Sequence, residues 1–305
     1  MEGLRVRLAR GDVLVGDGAL GTLLMERGLP ADRPPEWFAL ERPGVLEEIA
    51  GLYLEAGADL ITTDTFGGSR MRLALHGLGD RSEEINRAAV LAVRRAVGGR
   101  AYVSASVGPC GRLLRPYGDT DPAEVRASFA EQIGYLASAG ADLICIETMS
   151  DLAEAVEAVR AAKETAPGLP VMATMTFEAT RRGYFTIMGN GVEAAAAALA
   201  AAGADVVGSN CGTGIDAMVD IAGVMARATR LPIAIQPNAG LPETVDGRTV
   251  HRETPESMTG RAGELLAQGV RIVGGCCGTT PAHVRALRRA VDGWVAAKGG
   301  GRPQP

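Results

Sequence analysis

The chain has 305 residues, of which 47% are hydrophobic and 4% aromatic, and its formal net charge at pH 7 is -5. A single large α/β domain fits that length, and a core poor in aromatic residues must be built from Ala, Leu, Val and Ile. Acidic residues outnumber basic ones and the sequence has no run of basic residues, so it gives no sign of a surface that binds nucleic acid or an anionic membrane. We therefore expect a protein that acts on small molecules.

The N-terminal stretch MEGLRVRLARGDVLVGDG carries charges where a signal peptide needs an apolar segment, which predicts a cytoplasmic protein. The Ala-rich run AAAAALAAAGADVVG is too short to span a bilayer and contains Asp205, so no membrane segment is expected. The five cysteines are an odd number and widely spaced, which argues against a disulfide framework and leaves metal binding or catalysis open.

Short apolar runs rich in β-formers alternate with longer helical patterns, and this alternation predicts a parallel sheet. Helical segments such as RSEEINRAAVLAVRRAV have an acidic start, apolar residues three and four apart, and glycine at the end. Eight strands are predicted, over residues 13–20, 59–66, 101–109, 143–149, 170–177, 206–211, 232–239 and 270–278.

The tetrapeptide AGAD occurs at 56–59, 139–142 and 202–205, each time between a helix and a strand, where its glycine suits a left-handed helix cap. Eight strand-helix units favour an α/β fold of the (β/α)8 TIM-barrel type, forming a single domain over residues 1–297. No dinucleotide fingerprint follows the first strand, which argues against a doubly wound sheet. The stretch KGGGRPQP at 298–305 is predicted to be a disordered tail.

A barrel of this type gathers its active site at the carboxyl ends of the strands. Polar and sulfur-containing residues stand at six of the predicted strand ends: Asp17, Thr62 to Thr65, Glu147, Cys211, Asn238, Cys276 and Cys277. Three thiols from two different strands would therefore meet at one mouth of the barrel. This convergence predicts a metal site.

Zn²⁺ favours thiolate ligands, and a catalytic zinc site keeps three protein ligands and one exchangeable position. Cys211, Cys276 and Cys277 supply three, and the glycines in NCG and GGCCG let the backbone bend so that two adjacent cysteines reach one ion. The alternatives are that these cysteines pack as small hydrophobic residues, or that the adjacent pair forms a strained disulfide. Cys110 and Cys145 are expected to be packing residues.

Several motifs together point to a known family. They are DGALGTLL (17–24), AGADLITTDTF (56–66), GADLICIET (140–148), GSNCGTG (208–214), PNAGLP (237–242) and GGCCGTTPAHV (274–284). With these motifs the chain resembles the zinc-dependent homocysteine S-methyltransferases, and most closely the homocysteine-binding module of cobalamin-dependent methionine synthase. The resemblance covers nearly the whole chain.

The resemblance implies a role for each site residue. Cys211, Cys276 and Cys277 would bind zinc, with Asn238 beside the metal. Asp17 and Glu147 would face the ammonium group of homocysteine, and the segment TTDTF, with Thr63 and Asp64, would contact the substrate carboxylate. Asp64 departs from the Asn that synthase modules commonly carry at this position.

The activity implied by the resemblance is methyl transfer to zinc-bound homocysteine thiolate, which forms methionine. Nothing in the chain resembles the folate, cobalamin or reactivation modules of the synthases, so we expect the donor to be a methyl-corrinoid (methylcobalamin) protein acting in trans. S-methylmethionine or another sulfonium is the alternative donor. Betaine is disfavoured, because Thr148 follows Glu147 where betaine-using relatives carry an aromatic residue.

Two other classes of function are possible for such a barrel. A Schiff-base aldolase needs a lysine at a strand end, yet the only lysines are Lys163 and Lys298, in a predicted helix and in the predicted tail. A non-catalytic zinc-binding or thiol-binding subunit stays open, because three cysteines alone would bind metal. Asp17 and Glu147 favour a substrate pocket over that alternative.

Overall fold

The computed structural model describes residues 1–245 and 248–299. Its strands are β1 (Leu14–Val15), β2 (Leu60–Thr62), β3 (Tyr102–Val107), β4 (Leu143–Met149), β5 (Val171–Met175), β6 (Glu178–Thr180), β7 (Gly183–Phe185), β8 (Val206–Asn210), β9 (Ile233–Gln236), β10 (Glu243–Val245), β11 (Arg248–Val250) and β12 (Val270–Val273). Eight of them form one parallel sheet in the order β1-β12-β9-β8-β5-β4-β3-β2, and each lies within one of the eight predicted runs.

The two outer strands of this order also meet. Gly16 and Leu60 form a parallel bridge, and the amide of Asp59 donates to the carbonyl of Val15 at 2.7 Å. The sheet therefore closes on itself, which confirms the predicted (β/α)8 barrel.

Helices surround the sheet, as the alternating sequence pattern predicts. They are α1 (Leu4–Arg10), α2 (Leu20–Glu26), α3 (Phe38–Glu41), α4 (Pro43–Glu55), α5 (Arg70–Ala74), α6 (Ser82–Val97), α7 (Pro122–Ser138), α8 (Leu152–Thr165), α9 (Val192–Ala202), α10 (Ile215–Ala228), α11 (Pro255–Gly260), α12 (Ala262–Ala267) and α13 (Pro281–Ala297). Within the described part of the chain, no helix is both long and apolar enough to cross a membrane. From residue 300 onward, the predicted tail lies outside the described residues.

The interior of the barrel holds its own apolar cluster, separate from the larger core between sheet and helices. Residues at the amino-terminal ends of the strands, such as Leu14, Leu60 and Leu143, belong to this cluster. Leu4 and Leu8 of α1 pack against them at the amino-terminal end of the barrel. Because this end is filled with apolar side chains, the opposite, carboxyl end of the barrel is the one that can accommodate polar groups.

The three AGAD segments form one repeated connection. Their glycines have left-handed φ values of +96°, +99° and +105°, which supports the prediction that each ends a helix. The carboxylate of each aspartate then accepts a hydrogen bond from a backbone amide at the start of a neighbouring strand. The three donors are Val15 N to Asp59 at 2.9 Å, Val103 N to Asp142 at 2.7 Å and Val171 N to Asp205 at 2.9 Å. The repeat thus fixes the register of adjacent strands at the closed end of the barrel.

Two antiparallel hairpins, β6–β7 and β10–β11, lie outside the barrel sheet and were not anticipated from the sequence. They follow β5 and β9 at the carboxyl end. Their strands are three residues long, and β6 is fully exposed, so neither hairpin shows the apolar alternation that would announce a strand.

The AGAD contacts predict a measurable stability effect at Asp142, whose Oδ2 also accepts a hydrogen bond from Arg94 at 2.8 Å. Asp142→Ala leaves the Val103 amide and the Arg94 guanidinium without this partner, so we expect a loss of about 1–3 kcal/mol in the free energy of unfolding. Urea denaturation measures it. Asp142→Asn, which keeps an acceptor for the amide, should lose less.

The matched control is Asp80→Ala, because Asp80 also pairs with an arginine but its side chain is fully exposed. Its change in unfolding free energy should stay within about 0.5 kcal/mol. Equal effects at Asp80 and Asp142 would contradict the role given to the AGAD aspartates.

Candidate functional site

A cavity of about 320 Å³ opens at the carboxyl end of the barrel. Loops that follow β1, β2, β8 and β12, together with residues of β4, form much of its wall. Seven of the predicted site residues line it: Asp17, Thr63, Asp64, Glu147, Cys211, Cys276 and Cys277. Residues far apart in the sequence are therefore brought into one site by the barrel.

Three cysteine sulfur atoms form a compact cluster on the wall of the cavity. The Sγ atoms of Cys211, Cys276 and Cys277 all lie within 4.8 Å of one another, and those of Cys211 and Cys277 are 3.8 Å apart. All three are free cysteines, so no disulfide joins the adjacent pair. Three thiols at this spacing are a donor set that suits zinc and leaves a fourth position open, so these residues fit that ion.

A turn, rather than a strand, lets the two adjacent cysteines share this cluster. Strand β12 ends before them, and Thr279 closes the turn by donating from its amide to the Cys276 carbonyl at 3.1 Å. A Cβ at Gly275 would lie 2.3 Å from the Thr279 hydroxyl, and Gly278 has a φ of +78°. The glycines around Cys276 and Cys277 are thus required by the close approach and by the left-handed backbone, as the sequence predicts.

Cys211 also has an unusual backbone, with a φ of +60°. This conformation is rare for residues other than glycine and costs conformational energy, and it turns the chain sharply at the end of β8. Hydrogen bonds from the Cys276 and Cys277 thiols lower the pKa of Cys211, while the pKa of Cys276 is raised. Three thiolates this close together would repel one another, and a bound cation would offset that repulsion.

Asp17 lies in the loop after β1 and is 4% exposed. Its carboxylate accepts two hydrogen bonds from Thr62, from the amide at 2.6 Å and from the hydroxyl at 2.8 Å. Burial raises the pKa of Asp17 to about 6, although the bonds from Thr62 act in the opposite direction. The side chain is thus held in a fixed position against the second strand.

Glu147 is a partly buried residue within β4 and accepts a hydrogen bond from the Ser106 hydroxyl. Burial raises its pKa to about 7, and the charge of Asp17 adds to the shift. The following residue, Thr148, has a φ of +57°, and the pairing of β4 with β5 shifts register between Ile146 and Met149. The irregular part of β4 thus places Glu147 at the wall of the cavity.

A buried asparagine, Asn210, connects the carboxylate to the cysteines. Its Oδ1 accepts hydrogen bonds from the Thr148 amide and the Thr174 hydroxyl, both at 2.7 Å. Its Nδ2 donates to the Thr148 hydroxyl at 2.7 Å and lies 3.5 Å from Glu147 Oε2 and 3.8 Å from Cys276 Sγ. One amide thereby positions the irregular part of β4 beside the thiol cluster.

The other predicted residues occupy different places. The Thr63 hydroxyl bonds within the protein, to Thr65 Oγ1 at 2.7 Å and to the Ser106 amide at 3.2 Å. Asp64 is 3% exposed, and its Oδ2 has no hydrogen-bond partner among the residues described. Asn238 is buried and does not line the cavity, but its side chain contributes a hydrogen bond that helps lower the pKa of Cys211.

Sequence reasoning missed Ser106, Asn210 and Gln236. The first and last of these line the cavity, whereas Asn210 supports it. A polar residue near the end of a buried strand is the signal that could have found them, since such a side chain needs a partner. The sequence does not indicate which residue becomes the partner of such a side chain. In this site the partners of Ser106 and Asn210 lie on another strand, β4.

Residues 14–291 match the family model described as homocysteine S-methyltransferase. The chain belongs to the homocysteine S-methyltransferase family. It is 34% identical over 299 residues to proteins named methionine synthase from Mycobacterium tuberculosis and from Mycobacterium leprae, in each case over 92% of this chain. The chain spans 24% of the length of those two relatives.

Solved structures share the family fold. The homocysteine methyltransferase MmuM from Escherichia coli, in its metallated form, superposes with a TM-score of 0.78 at 24% identity, over 94% of this chain and 99% of that one. Its oxidized form gives the same TM-score at 23% identity. The resemblance found in the sequence motifs, to this family and to methionine synthase, is confirmed.

The raised pKa of Glu147 predicts that the charge of this residue destabilises the protein without metal or substrate. A carboxyl with a pKa near 4.5 unfolded and about 7 folded keeps its proton longer in the folded state, so stability falls as pH rises from 4.5 to 7. Glu147→Gln removes the charge and keeps an acceptor for Ser106. We expect the metal-free variant to be more stable than wild type by about 1–3 kcal/mol at pH 8, and by little at pH 4.5.

Thermal and urea unfolding of the metal-free, reduced proteins at both pH values provide the measurement. Glu178→Gln, at an exposed position of β6, serves as the control and should show no such difference. A Glu147→Gln variant that is equally or less stable than wild type at pH 8 would show that the environment of Glu147 does not penalise its charge.

Proposed function

We propose that the protein is a zinc-dependent homocysteine S-methyltransferase that forms methionine. One observation carries the proposal: a single cavity contains three clustered cysteines and two buried or partly buried carboxyl groups, Asp17 and Glu147. A thiol cluster alone would suit any soft metal site, but carboxylates on the same wall suit a ligand that carries both a thiol and an ammonium group. Homocysteine has that combination.

The metal would be held by Cys211, Cys276 and Cys277. When bound, zinc would lower the pKa of the substrate thiol, which is about 8.5 for a free alkyl thiol and leaves most of it protonated at neutral pH. The anionic character of three cysteine thiolates would preserve electron density on the substrate sulfur. No histidine or lysine lines the cavity in the described part of the chain, so the proposal assigns no separate general base.

Asp17 and Glu147 would bind the ammonium group of homocysteine. Both carboxyl groups are fixed before any ligand arrives, by Thr62 and by Ser106. No cation stabilises either carboxylate within the described residues, and burial raises both pKa values. A bound ammonium group would supply the missing positive charge, which favours a ligand with an amino group, such as homocysteine, over a thiol that lacks one.

Methyl transfer itself then needs positioning more than acid-base chemistry. The thiolate sulfur would attack the methyl carbon in line with its bond to the donor, and the electron pair of that bond would leave with the donor. Met25 of α2, Pro35 and Phe66 line the cavity and would limit access of water to the sulfur.

The donor we propose is a methyl-corrinoid carried by a separate protein. The identity of 34% with two proteins named methionine synthase supports a corrinoid as the donor. The volume of the cavity, about 320 Å³, also suits an amino acid rather than a corrinoid ring, so the donor would present its methyl group at the mouth. A cytoplasmic location would keep the clustered thiols reduced.

The test is methionine formation by mass spectrometry, with zinc-loaded protein, homocysteine and separate donors: methylcobalamin, S-methylmethionine and betaine. We expect methionine with methylcobalamin. Methionine with S-methylmethionine alone would replace the proposed donor and keep the activity. If homocysteine neither binds nor reacts with any donor, the proposed function is wrong.

Single Cys→Ala variants at positions 211, 276 and 277 should each lose zinc and methionine formation together, because two remaining thiolates form an incomplete site. Zinc content by elemental analysis accompanies each assay. Cys145→Ala is the matched control, since this thiol is buried inside the barrel and away from the cluster. It should keep both properties, and a cluster variant that also keeps both would remove that cysteine from the site.

A further inference from the structure

The buried amide of Asn210 has one N–H donor that is shared between two acceptors. Its other N–H bonds to the Thr148 hydroxyl at 2.7 Å. The same nitrogen lies 3.5 Å from Glu147 Oε2 and 3.8 Å from Cys276 Sγ, distances near the long limits for hydrogen bonds to oxygen and to sulfur. The shared N–H therefore links the proposed ammonium site with one of the proposed zinc ligands.

The position of this amide is fixed from its other end. Asn210 is 0% exposed, and its Oδ1 accepts hydrogen bonds from the Thr148 amide and the Thr174 hydroxyl. Three bonds of 2.7 Å, counting the one to the Thr148 hydroxyl, hold the plane of the amide. Nδ2 therefore cannot turn away from Glu147 and Cys276, and its second hydrogen goes to one or the other.

At Glu147 the shared N–H competes with the proposed ligand. Oε1 of this carboxyl group already accepts a hydrogen bond from the Ser106 hydroxyl, and Oε2 faces Nδ2 of Asn210. Hydrogen bonds from a charged donor are roughly twice as strong as those from a neutral amide. An ammonium group bound to Glu147 would therefore supply Oε2 with a better donor and release the N–H to Cys276.

At Cys276 the strength of the acceptor depends on the metal. A neutral thiol is a weak acceptor, whereas a cysteine bound to zinc is a thiolate and accepts a charge-assisted hydrogen bond. Zinc held by the three cysteines would therefore draw the shared N–H of Asn210 towards Cys276 Sγ. Glu147 Oε2 would then lack its amide donor and gain more from an ammonium group.

We infer that Asn210 couples the two halves of the site, so that zinc at the cysteines strengthens binding of an ammonium group at Glu147, and the ammonium group strengthens binding of zinc. The two effects are equal, because coupling between two binding equilibria is reciprocal. The inference rests on the proposed function for the identity of the ligands. It makes Asn210 a positioning residue that favours binding of the amino acid to protein that already holds the metal for its thiol.

Calorimetry with L-norvaline measures the coupling, because this amino acid carries a methyl group in place of the homocysteine thiol and leaves the metal uncoordinated. The reduced protein is titrated with norvaline with and without zinc, and the ratio of the two dissociation constants is the coupling factor. We expect wild type to bind norvaline at least about 5-fold more tightly with zinc. In Asn210→Ser, which lacks the NH2 group, the ratio should fall below about 2-fold. Loss of a merely structural contact would weaken both affinities and leave their ratio unchanged.

Thr174→Val is the matched control, because it removes a hydrogen bond to the oxygen of the same amide and leaves Nδ2 in place. Its coupling factor should stay within about 2-fold of the wild-type value. Equal coupling factors in wild type and Asn210→Ser would overturn the inference, since zinc and ammonium would then act on each other directly. A wild-type affinity that does not depend on zinc would overturn it as well.

A second measurement, on wild type, applies even where Asn210→Ser does not fold. The chain has only four asparagines, so nitrogen-15 labelling of this residue type gives few side-chain NH2 signals, and contacts with Thr148 identify that of Asn210. With cadmium-113 in place of zinc, a proton that is hydrogen-bonded to a metal thiolate shows scalar coupling to the metal. We expect this coupling at Asn210 when norvaline is bound, and its absence would overturn the inference.

Failure of the proposed function gives a different pattern. If neither homocysteine nor norvaline binds zinc-loaded wild type, the proposed function is refuted, and the coupling with it. If both bind and only the coupling is missing, the proposed function stands and Asn210 has a structural role alone.

Discussion

The site depends on one buried amide. Asn210 occupies the last position of β8, directly before Cys211, and its side chain bonds to Thr148 through both its oxygen and its nitrogen. Because the same nitrogen also lies 3.8 Å from Cys276 Sγ, the irregular part of β4 and the thiol cluster are positioned relative to each other. Thr148 and Cys211 have left-handed backbones, and such strained residues persist only where surrounding contacts determine them.

The two ends of the barrel have different roles: the amino-terminal end contributes to stability, and the carboxyl end contains the candidate site. At the amino-terminal end, apolar side chains fill the interior and the AGAD aspartates accept hydrogen bonds from strand amides. At the carboxyl end, the same parallel strands present acidic groups and thiols, with two non-glycine residues at positive φ. Carboxylates buried without cations and residues with strained backbone both lower the free energy of unfolding. The apolar packing at the amino-terminal end of the barrel offsets this loss at the carboxyl end.

Much of this could be predicted from the sequence, and the limits have physical reasons. Eight apolar runs, three AGAD segments and the strand-end cysteines depend on local pattern, and they led to the barrel and to the residues of the cavity. Asn210 and Ser106 were missed because their roles depend on partners brought close only by folding. The conformations at Thr148 and Cys211 could not be predicted either, since neither residue type signals positive φ. The hairpins β6–β7 and β10–β11 lacked the pattern that identifies longer strands.

We propose that three cysteines form a zinc site whose open position accepts the thiol of homocysteine. Zinc K-edge X-ray absorption, recorded on zinc-loaded protein with and without homocysteine, tests it most directly because it counts the sulfur atoms around the metal. We expect about three sulfur neighbours without substrate and about four with it. A sulfur count that does not change when homocysteine is added would show that the substrate thiol does not bind the zinc.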